Sequence, residues 1–291
     1  MKVIFFGLGS IGRRHLRLIN EIYDFDIYAF RTLIQPLRSF GIPTLKHREV
    51  FDWDTVNRIK PDVAFITNPT HLHIKTEIRC LEHGITKIFL EKPIDCTTNG
   101  LSRLLELVKR NNATVYVAYP LRHIAELQEI KESLKSDIIY MVCKSDLANW
   151  RQYNTYSAYA EQGGGAILEL SHEIDLSAFL LGEIKAIRGK CGKVKNSSTD
   201  AEDFCAIVTD HENDKYANIV LDIAWENKPE RYLVYNNGED RINYQADDDT
   251  FRNQLKYFFD NLDNPRLMNN VFDAGFLFRK IIEFRKKEGM K

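Results

Sequence analysis

The first 120 residues alternate between short apolar runs and segments in which apolar residues recur at helical spacing. Val3–Phe6 is an uninterrupted apolar run, and from Ile11 to Ile22 the apolar side chains lie three and four positions apart. Similar short runs follow at 26–31, 62–67, 85–90 and 113–118. Strands that alternate with helices are typical of a parallel sheet with crossover helices. The pattern therefore predicts a doubly wound α/β domain over residues 1–120.

The pattern changes after residue 120. From Tyr216 to Trp225 apolar and polar side chains alternate, as in a strand with one covered face. Further strands are predicted at 138–144, 184–193, 203–209 and 230–235. One long helix is predicted from Gly163 to Leu181, and a closing helix carries an apolar stripe from Ala274 to Ile281. Residues 121–291 are therefore predicted to form an α+β domain on an open, mostly antiparallel sheet.

The composition excludes several classes of protein. The 291 residues carry 40 lysines and arginines against 41 acids, so a net charge of −1 provides no basic field for a nucleic acid. No apolar run approaches the roughly 18–20 residues of a membrane helix. The five cysteines include no C-x-x-C pair, which argues against a zinc or redox motif. We expect reduced thiols in a cytoplasmic protein that binds neither nucleic acid nor membrane.

The turn after the first apolar run is rich in glycine. Gly7, Gly9 and Gly12 form a G-x-G-x-x-G directly after a strand and at the start of a helix, the context in which this motif binds a dinucleotide. Gly7 permits a tight turn, Gly9 lets the backbone approach a pyrophosphate, and Gly12 lets the helix pack on the strand. The N–H groups at Ser10 and Ile11 favour anionic oxygens. The motif predicts NAD(P) binding, and glycines that serve only backbone geometry are the alternative.

The end of the second predicted strand bears on the choice between NAD and NADP. An acid is typical there in NAD-binding proteins, because it binds the ribose hydroxyl. This chain has Arg31 and Thr32 instead, and a guanidinium with a hydroxyl suits a 2′-phosphate. The position therefore favours NADP(H), with an ordinary surface arginine as the alternative.

Two polar clusters follow buried strands, where the ligands of open α/β sheets collect. The predicted cofactor contacts in them are Thr67, Asn68, Pro69, His71, His73, Glu91 and Lys92. An ammonium group at Lys92 would lie beside the nicotinamide, where a substrate hydroxyl becomes a carbonyl. A solvated lysine at a strand end is the alternative. His71 and His73 lack a matching carboxylate or cysteine set, so no metal site is predicted.

The predicted helix 163–181 carries polar residues on the side opposite its apolar stripe. At about 100° per residue, Glu169, His172 and Asp175 spread across that side. Histidine titrates near neutrality, and an acid three residues away can orient its ring. The pattern predicts that His172 carries a proton, with Glu169 and Asp175 as further catalytic candidates. A structural bond across the domain interface is the alternative.

Together these motifs resemble the Gfo/Idh/MocA family of NAD(P)-dependent oxidoreductases. The matching segments are Gly7–Gly12 with Arg13-Arg14-His15, Thr67–His73, Glu91-Lys92-Pro93, and Gly163-Gly164-Gly165 with His172 and Asp175. The resemblance implies a Rossmann domain, then an α/β domain whose open sheet forms a homodimer or homotetramer. In similar enzymes the residues corresponding to Lys92 and His172 assist removal or return of the hydroxyl proton while hydride moves between a sugar carbon and the nicotinamide.

This chain departs from the family pattern at two positions. The usual acid lies four residues before the histidine, where this chain has Leu168, and Glu169 stands three before it. Pro120 follows Tyr119, where an asparagine is common. The segment from 150 to 175 is similar to a branch associated with bacterial surface-glycan and nucleotide-sugar metabolism. The candidates for substrate binding are Tyr119, Arg122, Trp150, Arg151 and Tyr156.

The sequence thus predicts an oxidoreductase that transfers hydride between a nicotinamide and a secondary alcohol or ketone. The substrate class is a sugar, a nucleotide sugar or a polyol. Two alternatives stay open. One is a dinucleotide-binding regulator or accessory subunit without turnover, and the other is a reductase of a different class of substrate, such as an imine or a bile pigment.

Overall fold

The computed structural model of the protein describes residues 1–32, 46–146, 156–194 and 200–290. The chain divides into two compact units. The first comprises Met1–Ile94, Asn99–Ala118 and Phe251–Ala274, and the second Asp95–Thr98, Tyr119–Thr250 and Gly275–Lys291. Residues 251–274 therefore pack with the first unit, although the sequence analysis placed them in the second domain. The order of the elements along the chain does not indicate that residues 251–274 pack with the first unit.

A parallel sheet of six described strands forms the centre of the first unit. The strands are β1 (Lys2–Phe6), β2 (Asp26–Phe30), β3 (Arg48–Val50), β4 (Val63–Ile66), β5 (Lys87–Glu91) and β6 (Thr114–Ala118). Their order is β3-β2-β1-β4-β5-β6, which confirms the doubly wound prediction. The order reverses between β1 and β4, and a crevice at the carboxyl ends of such strands is where ligands of this architecture bind. The helices between the strands are α1 (Ser10–Ile22), α2 (Trp53–Ile59), α3 (His73–Glu82) and α4 (Leu101–Arg110).

Aromatic side chains form much of the core beside this sheet. The Phe65 ring stacks on Phe5 at 4.8 Å and on Phe89 at 4.6 Å between ring centroids. All three side chains are fully buried. Strands covered on both faces read as continuous apolar runs, which is why these strands were evident in the sequence. β3 was not predicted, because three residues are too few to show a pattern.

The second unit is built on a mixed sheet of six described strands. They are β7 (Ile138–Lys144), β8 (Ile184–Gly192), β9 (Phe204–His211), β10 (Tyr216–Asp222), β11 (Glu230–Tyr235) and β12 (Asp240–Asn243), in the order β12-β11-β7-β10-β9-β8. Among these described strands only the pairing of β7 with β10 is parallel, so the prediction of a mostly antiparallel sheet is confirmed. Along β7, Met141 is buried whereas Tyr140 is 48% exposed, so one face is covered and one is open. The remaining α-helices of the described ranges are α5 (Ala125–Ser133), α6 (Ala166–Glu169), α7 (Ser171–Leu181), α8 (Asp248–Asp260) and α9 (Val271–Lys287).

The helix predicted from Gly163 to Leu181 is two helices, so that prediction is wrong. α6 ends at Glu169, its C-cap Leu170 has a φ of −101° and a ψ of 23° that interrupt the helix, and α7 begins at Ser171. A Cβ on Gly164 would lie 2.4 Å from the Ser157 carbonyl oxygen. The glycines before α6 therefore serve close packing of the backbone, which delays the start of the helix.

Cys191 and Cys205 are paired across β8 and β9 and form a disulfide. The prediction of reduced thiols is therefore wrong for this pair, because two residues distant in sequence meet through the register of the strands. The three other cysteines are free and buried. Burial, aided by the Glu173 carboxylate, raises the pKa of Cys143 to about 12, which keeps this thiol protonated. The cytoplasmic location rested on reduced thiols and stays a prediction.

None of the helices in the described ranges is long and apolar enough to cross a membrane.

Candidate functional site

The turn between β1 and α1 packs tightly against the segment that follows β4. The Thr67 hydroxyl donates to the Gly7 carbonyl oxygen at 2.6 Å, and the Thr67 N–H donates to that of Phe6 at 2.9 Å. A Cβ on Gly7 would lie 2.6 Å from the Asn68 backbone, and one on Gly12 would lie 2.4 Å from the Gly7 carbonyl oxygen. Gly7 and Gly12 are therefore required for the close approach of two strand-end segments.

Gly9 faces open space. A Cβ built on it would meet no atom of the described residues within 4 Å. Gly9 is also the N-cap of α1, where no side chain caps the helix, and the first turn from Ser10 to Arg13 contains no acid. Backbone N–H groups at such a helix start, together with the helix dipole, attract anions. The residues fit a dinucleotide, whose pyrophosphate Gly7, Gly9, Ser10, Ile11 and Gly12 would hold.

Arg31 lies at the carboxyl end of β2 and pairs with an acid from the neighbouring strand. Its Nη1 atom is 3.1 Å from Oε1 of Glu49 on β3, and its side chain is 14% exposed. Thr32 follows and is exposed. An acid therefore stands beside the arginine predicted to bind a 2′-phosphate. The sequence analysis missed Glu49, because β3 was not recognised and the pairing with β2 was not known.

Glu91 ends β5 and is held by a histidine of α1. The ring Nε2 of His15 lies 2.7 Å from Glu91 Oε1, and the histidine is fully buried with its ring edge-on to Phe89. The other carboxylate oxygen accepts the Lys92 N–H at 3.2 Å. Both oxygens of Glu91 therefore bond within the protein and fix the strand end from which Lys92 extends.

The segment after β4 is tied to helix α3. The Asn68 side chain donates to the Thr76 hydroxyl at 2.8 Å. His73, the first residue of α3, is 1% exposed, and its ring nitrogens lie 2.9 Å from the Pro93 carbonyl oxygen and 2.8 Å from that of Asn68. Pro69 precedes a single helical turn, in which His71 is half-buried. The two predicted clusters therefore meet at His73.

In the second unit, His172 lies on α7 and is half-buried. Its ring meets the Tyr119 ring edge-on, with centroids 6.1 Å apart and an interplanar angle of 88°. Asp175, one turn later, is 1% exposed and accepts two bonds from Arg122, at 2.8 Å from Nε and 2.7 Å from Nη2. Burial raises the pKa of Asp175, and the Arg122 guanidinium opposes the rise. Two predicted site residues, one catalytic and one substrate-binding, therefore bond to each other.

The break at Leu170 changes the placement of Glu169. This acid ends α6, whereas His172 and Asp175 lie on α7. The prediction that the three residues share one face of a single helix is therefore wrong. The acid that α7 buries completely is Glu173, which pairs with Arg231 of β11 through a 2.6 Å contact from Nε to Oε1. The sequence analysis did not select Glu173, because its pairing with a residue 58 positions later has no local signal.

The remaining candidates divide by position. Tyr156 is 39% exposed in the second unit, and Trp150 and Arg151 lie outside the described residues.

Burial, together with the nearby Arg122 charge, lowers the pKa of His123 to about 4, so this ring is neutral near pH 7. Within the described ranges no group of three or more histidines, cysteines and acids could hold a metal ion.

Two family models match this chain. The first, described as an oxidoreductase family with an NAD-binding Rossmann fold, matches residues 1–119, and the second, described as the GFO/IDH/MocA C-terminal domain, matches residues 138–238. Together they cover most of both units.

Individual proteins are also similar to the chain. Oxidoreductase P35 of Formosa agariphila is 28% identical over 48% of this chain and 47% of its own length. Myo-inositol 2-dehydrogenase of Thermotoga maritima is 20% identical over 63% of this chain and 55% of its own length. The chain thus spans about half the length of these relatives. The WlbA dehydrogenase of Bordetella pertussis, solved with NADH and UDP-GlcNAcA, has a TM-score of 0.83 at 15% identity over 99% of this chain and 95% of that one. This likeness shows the fold.

Proposed function

Because the chain belongs to the Gfo/Idh/MocA family of oxidoreductases, we propose that it transfers hydride between NAD(P) and a secondary alcohol or ketone. The observation that carries the proposal is the open start of α1 at Gly9, at the carboxyl ends of β1 and β4, between which the strand order reverses. That geometry supplies free N–H donors to a pyrophosphate at the place where doubly wound sheets bind ligands.

We assign the proton chemistry to Lys92 and His172. When bound, the nicotinamide accepts the hydride from the alcohol carbon or returns it to the ketone. Lys92 polarises the substrate oxygen with its ammonium group, and His172 removes the hydroxyl proton or gives it back. Glu91 supports this assignment, because its bonds to His15 and to the Lys92 N–H fix the segment that carries the lysine.

The proposed substrate class is a sugar, a nucleotide sugar or a polyol, as in surface-glycan metabolism. One relative is named a myo-inositol 2-dehydrogenase, and a structural neighbour is named as a complex with NADH and UDP-GlcNAcA. Both names describe ring compounds rich in hydroxyl groups. These names support the class for this chain.

We propose that Tyr119 and Tyr156 contact the substrate, with Trp150 and Arg151 as further candidates. Tyr119 is supported by its contact with the His172 ring. Arg122 directs two N–H groups at Asp175, so we assign this pair mainly to the orientation of α7. Glu169 stays a candidate for substrate contact from α6.

The assay for this function offers the protein NAD⁺ or NADP⁺ with a panel of polyols, sugars and nucleotide sugars, and measures nicotinamide fluorescence. We expect reduction of the cofactor with at least one compound, and oxidation of NAD(P)H with the corresponding ketone. A second panel of imines and bile pigments is assayed in the same way. Binding of NADH without turnover of any compound indicates a regulator, and turnover restricted to the second panel indicates another substrate class. Either result overturns the proposal.

The pairing of Arg31 with Glu49 leads to a prediction about cofactor choice. We propose a preference for NADP(H), in which Arg31 and Thr32 bind the 2′-phosphate and Glu49 limits the preference by like-charge repulsion. Glu49 is 41% exposed, so solvent screens its charge. Glu49→Gln is therefore expected to raise the ratio of kcat/KM for NADPH over NADH by only about threefold to fivefold. Steady-state kinetics with both cofactors measure this ratio.

Asp26→Asn is the matched control for that substitution. Asp26 starts β2 and pairs with Arg48 of β3 at 3.5 Å. The variant therefore removes an acid from an ion pair between the same two strands, at the end of β2 opposite to Arg31. The cofactor ratio should stay unchanged in this variant. An unchanged or lower NADPH ratio in Glu49→Gln would contradict the placement of a 2′-phosphate beside Arg31.

We also propose a homodimer or homotetramer formed through the open face of the second sheet. The exposed side chains of Ile138, Tyr140 and Tyr216 support this, because they place apolar surface on adjacent strands of that face. A cytoplasmic location is part of the same proposal.

A further inference from the structure

His73 is a buried histidine whose two ring nitrogens both face main-chain carbonyl oxygens. Nδ1 lies 2.9 Å from the oxygen of Pro93, and Nε2 lies 2.8 Å from the oxygen of Asn68. The side chain is 1% exposed, so bulk water does not replace either contact. One carbonyl belongs to the segment after β4, and the other to the segment after β5, next to Lys92.

The chemistry of the two partners determines the protonation of the ring. A carbonyl oxygen has lone pairs and no proton, so it can only accept a hydrogen bond. A neutral imidazole carries one N–H, which leaves the lone pair of the other nitrogen facing a carbonyl oxygen. Only the imidazolium, with a proton on each nitrogen, makes both bonds. The geometry therefore requires a cation at His73 for both contacts to be favourable.

A buried cation needs a counter-charge, and α3 provides one. Glu77 lies four residues after His73, hence on the same face of the helix, and is fully buried. A carboxylate at this spacing offsets part of the cost of burying the imidazolium. Arg103 of α4 pairs with Glu82 of α3. The other titratable or charged groups on α3 and on the segments packed around it are Lys75, Arg79 and Cys80 on α3, His71 before it, Lys87 and Glu91 on β5, Lys92 after β5, and Glu106, Lys109 and Arg110 on α4.

His211 provides an internal comparison, because it is equally buried and has a different partner. Its Nδ1 lies 2.8 Å from the Gly182 carbonyl oxygen, whereas its Nε2 lies 2.8 Å from the Thr209 hydroxyl. A hydroxyl can donate, so a neutral ring satisfies both contacts. Burial lowers the pKa of His211, in agreement with a neutral ring. Burial alone therefore does not require a charge, and the second carbonyl at His73 is the feature that does.

We propose that His73 is a positioning residue, held as an imidazolium cation, that joins the segment after β4 to the segment carrying Lys92. Glu77 is its counter-ion. Through its contact with the Pro93 carbonyl oxygen, His73 fixes where the Lys92 backbone leaves β5. The role in positioning Lys92 rests on the proposed function, whereas the charge of His73 does not.

The charge is tested by nuclear magnetic resonance of the full-length protein with isotope-labelled histidine rings. Correlations between ring protons and ring nitrogens distinguish an imidazolium from a neutral ring, and His73→Gln and His211→Gln identify the two signals. We expect two protonated nitrogens at His73 near neutral pH and one at His211. A single protonated nitrogen at His73 overturns the proposal, whether or not the protein turns over any substrate.

The positioning role is tested by kinetics. His73→Gln keeps one donor and loses the other, and we expect kcat to fall about tenfold to 100-fold, because misplacing a reacting group by about 1 Å has effects of this size. Glu77→Gln retains the histidine and covers the case in which His73→Gln does not fold. In Glu77→Gln the second proton of His73 is lost at lower pH than in the parent, so kcat should fall as pH rises through that range.

A purely structural role would lower the stability of these variants without a new pH dependence of kcat. If the ring resonances show an imidazolium and kcat of Glu77→Gln has the parent pH profile, the positioning role is wrong. If no substrate is turned over by the parent protein, the proposed function fails, and the ring resonances still decide the charge.

Discussion

His172→Ala is expected to lower kcat by about 10²–10⁴-fold, the range contributed by a positioned general acid or base. The dissociation constant for NADH should change little, because the residues proposed to hold the pyrophosphate lie between Gly7 and Gly12 of the first unit. His172 is half-buried on α7 beside the Tyr119 ring, so removal of its imidazole leaves the buried side of the helix intact. Steady-state kinetics and NADH fluorescence titration measure the two quantities.

His83→Ala is the control for the loss of a histidine, because that ring is exposed and bonds to Asn57 at 2.7 Å. It should leave kcat unchanged. Lys92→Ala tests the partner residue, and the double variant tests whether both act on one substrate oxygen. When two residues serve the same step, the double variant loses less activity than the two single losses combined would predict. Full activity in His172→Ala, or fully additive losses in the double variant, would contradict the assignment.

The first unit was largely predictable because its strands are buried on both faces. β1 and β4 read as apolar runs, and the glycine turn between β1 and α1 marks the position where the order of the sheet reverses. The same turn predicted the dinucleotide site, since its chemistry depends on local backbone geometry. What the sequence could not show was the return of residues 251–274 to this unit, because such a contact has no local signal.

The break between α6 and α7 illustrates why helical spacing can mislead. Apolar residues from Ile167 to Leu181 fit one stripe, and the sequence therefore predicted one helix. The backbone breaks at Leu170, after a glycine turn that packs against Ser157. α7 is buried on nearly every side, so the stripe no longer identifies a single buried face. The predicted common face of Glu169 and His172 disappears with the break.

The partners of the candidate site residues were also hidden from sequence analysis. Cys191 with Cys205, Arg31 with Glu49, and Arg122 with Asp175 each join residues that are brought together by strand register or by the packing of a helix. Their distances along the chain carry no information about pairing. His73 is the clearest case, because its identity suggested a cofactor contact, whereas the proposed charge depends on two carbonyl partners that the sequence does not show.

Glu173→Ala is expected to destabilise the second unit by about 3–5 kcal/mol, the cost of leaving one member of a buried ion pair without its partner. Glu173 is fully buried, and its two oxygens lie 2.6 and 3.3 Å from Nε and Nη2 of Arg231. Burial acts to lower the pKa of Arg231, but the Glu173 carboxylate contributes to a net rise. Because an arginine guanidinium is protonated at all ordinary pH values, it stays charged when the acid is removed. Urea unfolding, followed by circular dichroism, measures the change in the free energy of unfolding.

Two further variants distinguish the effect of an unpaired buried charge from the effect of lost side-chain packing. Glu173→Leu combined with Arg231→Met removes both charges and retains apolar volume, so we expect most of the lost stability to return. Glu82→Ala breaks an exposed pair with Arg103, in which the side chains are 43% and 65% exposed, and should cost less than about 1 kcal/mol. If the double variant is no more stable than Glu173→Ala, then the shape of the two side chains stabilises the packing of α7 on β11, and an unpaired charge is not the cause. If Glu173→Ala costs no more than Glu82→Ala, water reaches the guanidinium and the pair is not buried in solution.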